Sequence, residues 1–138
     1  MSKRKTILLI DDDDDTHFLH RRIIRKADPD AHVVSVTDGQ QALEYLDRVS
    51  NGDEVCPEHI WLDLQMPRMD GWAFMQEFRA KDLHYPCDVT VTIVTTSPNP
   101  DDKARALAHE HVNGFVQKFM SEEEAASLLN VNRRTDRA

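Results

Sequence analysis

Short runs of mainly apolar or β-branched residues alternate along this chain with segments of helical period, and no other feature restricts its fold so strongly. Such runs predict strands, and apolar residues three or four positions apart predict amphipathic helices. The predicted strands cover residues 6–10, 32–36, 60–62, 89–94 and 114–117. A fivefold repeat of strand and helix is typical of an α/β fold, with a parallel sheet covered by helices on both faces and joined by right-handed crossovers.

Start signals and apolar stripes mark the predicted helices, as the first, fourth and fifth of them illustrate. Acidic residues at 13–15 precede the first helix, as suits a helix N-terminus, and its apolar stripe contains Phe18, Leu19, Ile23, Ile24 and Ala27. The fourth helix is predicted over 101–111, with an inward stripe of Ala104, Leu107 and Ala108. Ser121 and Glu124 form a capping box that predicts the start of the fifth helix.

The composition is that of an ordinary globular chain: 138 residues, 40% of them hydrophobic and 30% charged, fit one domain. A net charge of −8 argues against nonspecific binding to nucleic acid or to anionic membranes. No signal peptide opens the chain and no apolar run approaches a membrane span, so we expect a cytoplasmic location. Cys56 and Cys87 have no metal-binding spacing and are predicted to be reduced thiols; a disulfide between them stays open, but no pattern favours it.

Carboxylates directly follow two of the predicted strands. Asp11 and Asp12 come after the first strand, and Asp63 comes after the third, ahead of a turn marked by Pro67 and Gly71. A flavodoxin-like, doubly wound sheet of strand order 2-1-3-4-5 sets strands one and three side by side, with the switch point between them. The three carboxylates then meet at one edge of the sheet, where their mutual repulsion requires a hard divalent cation or partial protonation.

The polar residues at the predicted strand ends resemble the pattern of a known family. In chain order they are Asp11-Asp12, Asp63 in the stretch Asp63-Leu64-Gln65-Met66-Pro67-Arg68-Met69-Asp70-Gly71, Thr95 after Ile93-Val94, and Lys118 after Gly114-Phe115-Val116-Gln117. Over about residues 6–130 the chain resembles the receiver domain of two-component response regulators, the stand-alone chemotaxis type in particular. A long loop at 50–58 is similar to that of the sub-group that pairs with phytochrome-like histidine kinases. We expect residues 1–138 to form a single receiver domain, with no output domain.

The resemblance implies a phosphoryl acceptor and a metal site. Asp63 would be the nucleophile that accepts the phosphoryl group as an acyl phosphate. Asp12, Asp63 and the main-chain carbonyl of Gln65 would hold Mg²⁺, with Asp11 beside it or bound through a water molecule. An all-oxygen site that keeps several waters suits this ion.

The resemblance also implies residues that respond to the phosphoryl group. Lys118 would pair first with Asp63 and then with a phosphoryl oxygen, and Thr95 would hydrogen-bond the same group. Phe115 stands at the position of the family's switch aromatic, while Gln65 and Ser97 stand where the family tunes phosphoryl lifetime.

The implied partners follow from that chemistry. We expect a sensor histidine kinase or a histidine phosphotransfer protein as donor, and a downstream protein that binds the face of the fourth helix and fifth strand. Nucleic acid and membrane are not expected as partners, and the chain is expected to be a monomer or a weak dimer. It would act as a switch, not as an enzyme.

The chain departs from the family pattern at two positions beside the site. Phe119 follows Lys118 where proline is usual, which predicts a trans peptide bond because a cis bond before a residue other than proline costs about 3–4 kcal/mol. Thr96 is larger than the usual alanine and could narrow access to the phosphoryl group.

Other functions stay open from the sequence. An aspartyl-phosphate phosphohydrolase or phosphotransferase of the haloacid-dehalogenase type would carry a second acid where Gln65 stands. A receiver that works without phosphate is kept open by Phe119 and Thr96. His17 and His20 could mimic a phosphotransfer histidine, but we predict them to be solvated surface residues.

Overall fold

The computed structural model describes residues 4–81, 84–96 and 99–130. Five strands and five helices alternate through these residues. The strands are β1 (Thr6–Ile10), β2 (His32–Val36), β3 (His59–Asp63), β4 (Thr90–Thr95) and β5 (Val112–Gln117). The helices are α1 (Asp14–Ala27), α2 (Gly39–Ser50), α3 (Gly71–Lys81), α4 (Pro100–Leu107) and α5 (Glu122–Leu129).

The strands form one parallel sheet in the order β2-β1-β3-β4-β5, which confirms the predicted fold. β1 and β3 are buried along their whole length because apolar clusters cover both faces of the sheet. Ile10 of β1 lies opposite Leu62 of β3 in the register. The carboxylates that follow these residues therefore leave the sheet at the same edge and side by side.

Polar residues cap several helices where the sequence places them. The Asp13 carboxylate accepts from the N–H of Asp15 at the start of α1. The Asn99 side chain caps α4 in the same way by accepting from the N–H of Asp101. At α5 both bonds of the predicted capping box between Ser121 and Glu124 are present.

The predicted apolar stripe of α1 is only partly correct. Ile24 is fully buried, but the Phe18 side chain is 64% exposed and that of Leu19 is 40% exposed. His17 and His20, predicted to be solvated, are buried instead. A buried imidazole is tolerated when it is hydrogen-bonded, and main-chain carbonyls accept from both of these rings.

The fourth helix ends earlier than predicted and turns a different face inward. α4 stops at Leu107, because a turn in which the N–H of Val112 bonds the carbonyl of His109 leads straight into β5. Ala106 is its buried residue, whereas the predicted inward positions Ala104, Leu107 and Ala108 are exposed.

Cys56 and Cys87 form a disulfide, so the prediction of two reduced thiols was wrong. The register of β3 and β4 pairs His59 with Thr90, and each cysteine lies three positions before its member of that pair. Their Cα atoms are therefore brought to 6.2 Å although 31 positions separate them in the sequence. The bond ties the loop before β3 to the loop before β4, at the edge of the sheet opposite to the carboxylates. None of the helices in the described ranges has the length and apolar character needed to cross a bilayer.

Candidate functional site

Three carboxylates meet at the carboxyl ends of β1 and β3. Asp11, Asp12 and Asp63 each offer an oxygen, and these oxygens lie within 4.8 Å of one another. Asp11 and Asp63 are each 4% exposed, whereas Asp12 is exposed to solvent. The group thus combines two buried residues with one exposed residue, an arrangement into which a hydrated cation fits.

Lys118 lies against this group from the end of β5. Its Nζ is 3.1 Å from Oδ2 of Asp11 and 3.3 Å from Oδ2 of Asp63. The residue is 8% exposed, so its ammonium group is shielded from solvent along with the carboxylates. One ammonium against three carboxylates leaves an excess of negative charge at this edge of the sheet.

The pKa of Asp63 is raised, so the positive charge of Lys118 does not fully offset the effect of burial on this carboxyl group. Burial raises the pKa of the Asp63 carboxyl and the charge of Asp11 adds to it, although the N–H of Gln65 and the Lys118 ammonium act in the opposite direction. For Lys118 burial lowers the pKa, but the hydrogen bond and charge of Asp11, together with Asp63, outweigh burial and raise it. The charged form of Lys118 is thus stabilised, whereas the charged form of Asp63 is destabilised by its surroundings. A divalent cation beside Asp63 would stabilise its charged form.

The donor set fits a hard cation. Every ligand atom in the group is a carboxylate oxygen, which is what Mg²⁺ prefers, and exposed Asp12 leaves room for the waters that this ion retains. Gln65, whose main-chain carbonyl was predicted as a further ligand, follows the group in the exposed loop after β3. Its N–H donates to Oδ1 of Asp63 at 3.2 Å and so orients that carboxylate.

The loop between Asp63 and α3 depends on a glycine. A Cβ on Gly71 would lie 2.7 Å from both the carbonyl oxygen of Asp63 and the Cα of Leu64. The N–H of Gly71 also donates to the carbonyl of Leu64, which closes the loop back onto the end of β3. Arg68, inside the loop, has a φ of +66°, in the left-handed region that residues with a side chain seldom adopt.

Of the other predicted residues, the structure places Thr95 at the same edge and Phe115 within the neighbouring strand. Thr95 is buried at the end of β4, and its carbonyl accepts from the N–H of Lys118 at 2.8 Å. Phe115 lies on β5 opposite Ile93 and packs half-buried against the core. Thr96 is exposed beside Thr95, and Ser97 lies outside the described residues.

The peptide bonds of the described residues are all trans, as predicted for the bond after Lys118. The Phe119 ring that follows is 69% exposed.

Sequence reasoning missed two residues that hydrogen-bond the main chain of site residues. His17 Nε2 lies 2.6 Å from the carbonyl oxygen of Asp11 and 3.1 Å from that of Val36. His20 Nε2 lies 2.7 Å from the carbonyl oxygen of Lys118. Their spacing with Ile24, at three and four positions, places them on the inward face of α1 and was the signal that could have found them.

A comparison of the sequence with known families and proteins agrees with this geometry. Residues 7–130 match the model of the response regulator receiver domain. The probable methanogenesis regulatory protein FilR2 of Methanothrix harundinacea is 29% identical over 118 residues, which are 86% of this chain and 74% of that protein. Other curated relatives are longer, and the chain spans about half the length of several of them.

Solved structures give the same result. A two-component response regulator from Cytophaga hutchinsonii superposes with a TM-score of 0.81 at 30% identity, over 94% of this chain and 96% of that one. The phosphorylated cyanobacterial phytochrome response regulator RcpA gives a TM-score of 0.72 at 26% identity, over 92% and 89% of the two chains. The Mn²⁺-bound form of response regulator Rcp1 gives 0.73 at 25% identity, over 93% and 97%.

The predicted resemblance, including similarity to phytochrome-associated regulators, is therefore confirmed. With the fold, the acidic group and the lysine in place, the chain belongs to the family of response regulator receiver domains of two-component systems.

Proposed function

We propose that this receiver is a phosphorylation switch, in which Asp63 takes a phosphoryl group from a phosphohistidine in a Mg²⁺-dependent reaction. The observation that carries the proposal is the position of the Lys118 Nζ, which contacts both Asp11 and Asp63 at 3.1 and 3.3 Å inside a buried acidic group. A structural ion pair needs only one carboxylate. Here Lys118 contacts two carboxylates and a third lies beside them, so their mutual repulsion is only partly offset.

The chain's own residues account for the transfer step. An oxygen of the Asp63 carboxylate forms a bond to phosphorus as the bond from phosphorus to the donor imidazole nitrogen breaks. The donor ring carries a proton on its other nitrogen, so it takes the electrons of the broken bond and leaves as a neutral imidazole. Lys118 exchanges its contact with Asp63 for one with a phosphoryl oxygen, while it keeps its contact with Asp11. The buried Thr95 hydroxyl donates to another phosphoryl oxygen. Mg²⁺, held by Asp11, Asp12, Asp63 and the Gln65 carbonyl, would neutralise the negative charge that gathers there.

The output would travel through β4 and β5. Thr95 ends β4, and Phe115 lies half-buried on the neighbouring β5, so an inward shift of Thr95 leaves space that the Phe115 ring can enter. The surface that changes is the face formed by α4 and β5, where Leu107 is exposed. This face would bind a downstream protein.

The proposed donor is a sensor histidine kinase or a histidine phosphotransfer protein. Such a donor draws on ATP, so the proposal implies a cytoplasmic location. The chain would be a carrier of the phosphoryl group rather than an enzyme with its own substrate, acting as a monomer or a weak dimer. An exposed glutamine at position 65, where a phosphohydrolase of the aspartyl type needs a second acid, supports this choice.

The test is incubation with a small acyl phosphate and Mg²⁺, followed by intact mass measurement. Wild type and Asp53→Asn, an exposed aspartate in the loop before β3, are expected to gain one phosphoryl group, and Asp63→Asn none. Uptake by Asp63→Asn would mean that another residue is the acceptor. No uptake by wild type, with Mg²⁺ binding shown separately, would leave a receiver that works without phosphate.

A further inference from the structure

We propose that His20 is a positioning residue for Lys118, and that it acts by holding the main chain of the lysine from the core side of the sheet. The inference rests on the proposed function for its kinetic consequence, but its geometry stands independently. His20 is 3% exposed, and its Nε2 lies 2.7 Å from the carbonyl oxygen of Lys118, 98 positions away in the sequence.

Both polar groups of the Lys118 main chain are held. Its N–H donates to the carbonyl of Thr95 at 2.8 Å, and its carbonyl accepts from His20. A carbonyl can only accept, so the imidazole carries its proton on Nε2 in this bond. With the two ends of the residue fixed, the origin of the lysine side chain is fixed relative to the carboxylates that its Nζ contacts.

The imidazole is itself held in place by β3. The ring of His20 meets that of Trp61 edge to face, with centroids 5.2 Å apart and planes at 84°. Trp61 is 2% exposed and lies two residues before Asp63 on the same strand. His20 therefore connects the strand that carries the acceptor with the loop that carries the lysine.

The loop after Lys118 needs such a restraint. Phe119 has an exposed ring that contributes little to packing, and unlike proline it leaves its own φ free to vary. The next anchored side chain is Met120, buried in the core cluster that also contains Trp61 and Ile24. Among the main-chain hydrogen bonds between described residues, loss of the bond from His20 would leave this segment held by the bond from the Lys118 N–H to Thr95.

The experiment compares His20→Gln with His20→Met, two unbranched side chains of similar length. The glutamine amide replaces the Nε2 donor, and the methionine lacks it. His84→Met, the same chemical change at an exposed histidine, is the control. If His20→Met does not fold, His20→Phe takes its place, because it keeps a ring against Trp61 without the donor.

The first readout is independent of phosphate: the ¹⁵N–¹H signal of the Lys118 ammonium, assigned by its loss in Lys118→Arg. We expect a slowly exchanging signal in wild type, His20→Gln and the control, and a broadened or absent one in His20→Met. The second readout is the rate of phosphorylation by an acyl phosphate. His20→Met should be slower by about tenfold, as is common when a supporting partner of a site residue is removed, and His20→Gln should recover most of the rate.

A double-mutant cycle separates positioning from general destabilisation. In a Lys118→Met background, adding His20→Met should change the rate less than about twofold, because the group that it positions is already gone. The inference is overturned if His20→Met slows phosphorylation equally with Lys118 and with Met at position 118. It is also overturned if the Lys118 ammonium signal is the same in His20→Met as in wild type. If the wild type takes up no phosphoryl group but the Lys118 ammonium signal is still lost in His20→Met, the proposed function is refuted and the positioning role remains.

Discussion

Reduction of the disulfide between Cys56 and Cys87 should destabilise this receiver without changing its phosphorylation. The bond closes a loop of 31 positions. In the chain-entropy model, closing a loop of that length removes about 12 cal/mol/K from the unfolded state, which is about 3.7 kcal/mol at room temperature. That figure is a large part of the 5–15 kcal/mol typical of a domain.

The assay is urea unfolding of the wild type with and without a strong reductant, with the free thiols counted by alkylation and mass. The double variant Cys56→Ser/Cys87→Ser should unfold at the same urea concentration in both conditions, and close to the reduced wild type. The loops joined by the bond lie before β3 and β4, and the five residues of β3 separate them from the acidic group by about 16 Å. Rates of phosphorylation should therefore agree within a factor of two between the oxidised and reduced forms.

Equal unfolding midpoints for oxidised and reduced wild type would refute the reasoning. They would mean that the denatured chain already keeps these loops close together, so that closing them covalently removes little entropy.

Three further predictions concern other parts of the fold. Burial and the nearby Lys5 charge lower the pKa of His59 to about 4, so the unfolded chain binds a proton that the folded chain does not as the pH falls from 6.5 toward 4. Stability should therefore drop over that window by up to about 3 kcal/mol, and the drop should be smaller in His59→Gln when urea midpoints are compared between pH 7 and 4. Mg²⁺ at a hundredfold excess over its Kd should stabilise the wild type by about 2.7 kcal/mol in thermal unfolding, and Asp12→Asn should be stabilised far less. An unchanged melting temperature of the wild type would argue against a metal site. Gly71→Ala should cost about 1–3 kcal/mol, since the new Cβ meets backbone atoms at 2.7 Å, and an unchanged urea midpoint would show that the loop can move aside.

The sheet and the acidic group were predictable because they depend on local patterns. Apolar runs predicted all five strands, and the strand order follows from general rules for such sheets. The position of a carboxylate directly after a strand then predicted that Asp11 and Asp63 would meet.

The parts that could not be predicted depend on contacts between distant segments. The spacing of His17 and His20 with Ile24 indicates the inward face of α1, but the carbonyls that accept from the two rings lie after β1 and after β5, and a local pattern does not contain them. Predicting the disulfide requires knowledge of the register of β3 against β4, which no local pattern contains. The inward face of α4 could not be predicted because alanines at 104, 106 and 108 allow more than one such face, and its end depends on the turn that leads into β5.

The bond between His20 and Lys118 also has a consequence for how the chain folds. It joins residues 98 positions apart. Two further contacts, the Lys5 side chain with the Leu129 carbonyl and Lys26 with Glu122 at 3.1 Å, join the segments of β1 and α1 to α5 in the same way. β1 and β3 precede β5 in the chain, so Asp11 and Asp63 can approach each other before Lys118 is in place. Repulsion between these carboxylates then opposes the pairing of the two strands, and the Lys118 ammonium reduces that repulsion once β5 has joined the sheet. Such dependence on distant contacts favours slow, all-or-none folding of the entire chain over stepwise folding from its N-terminus.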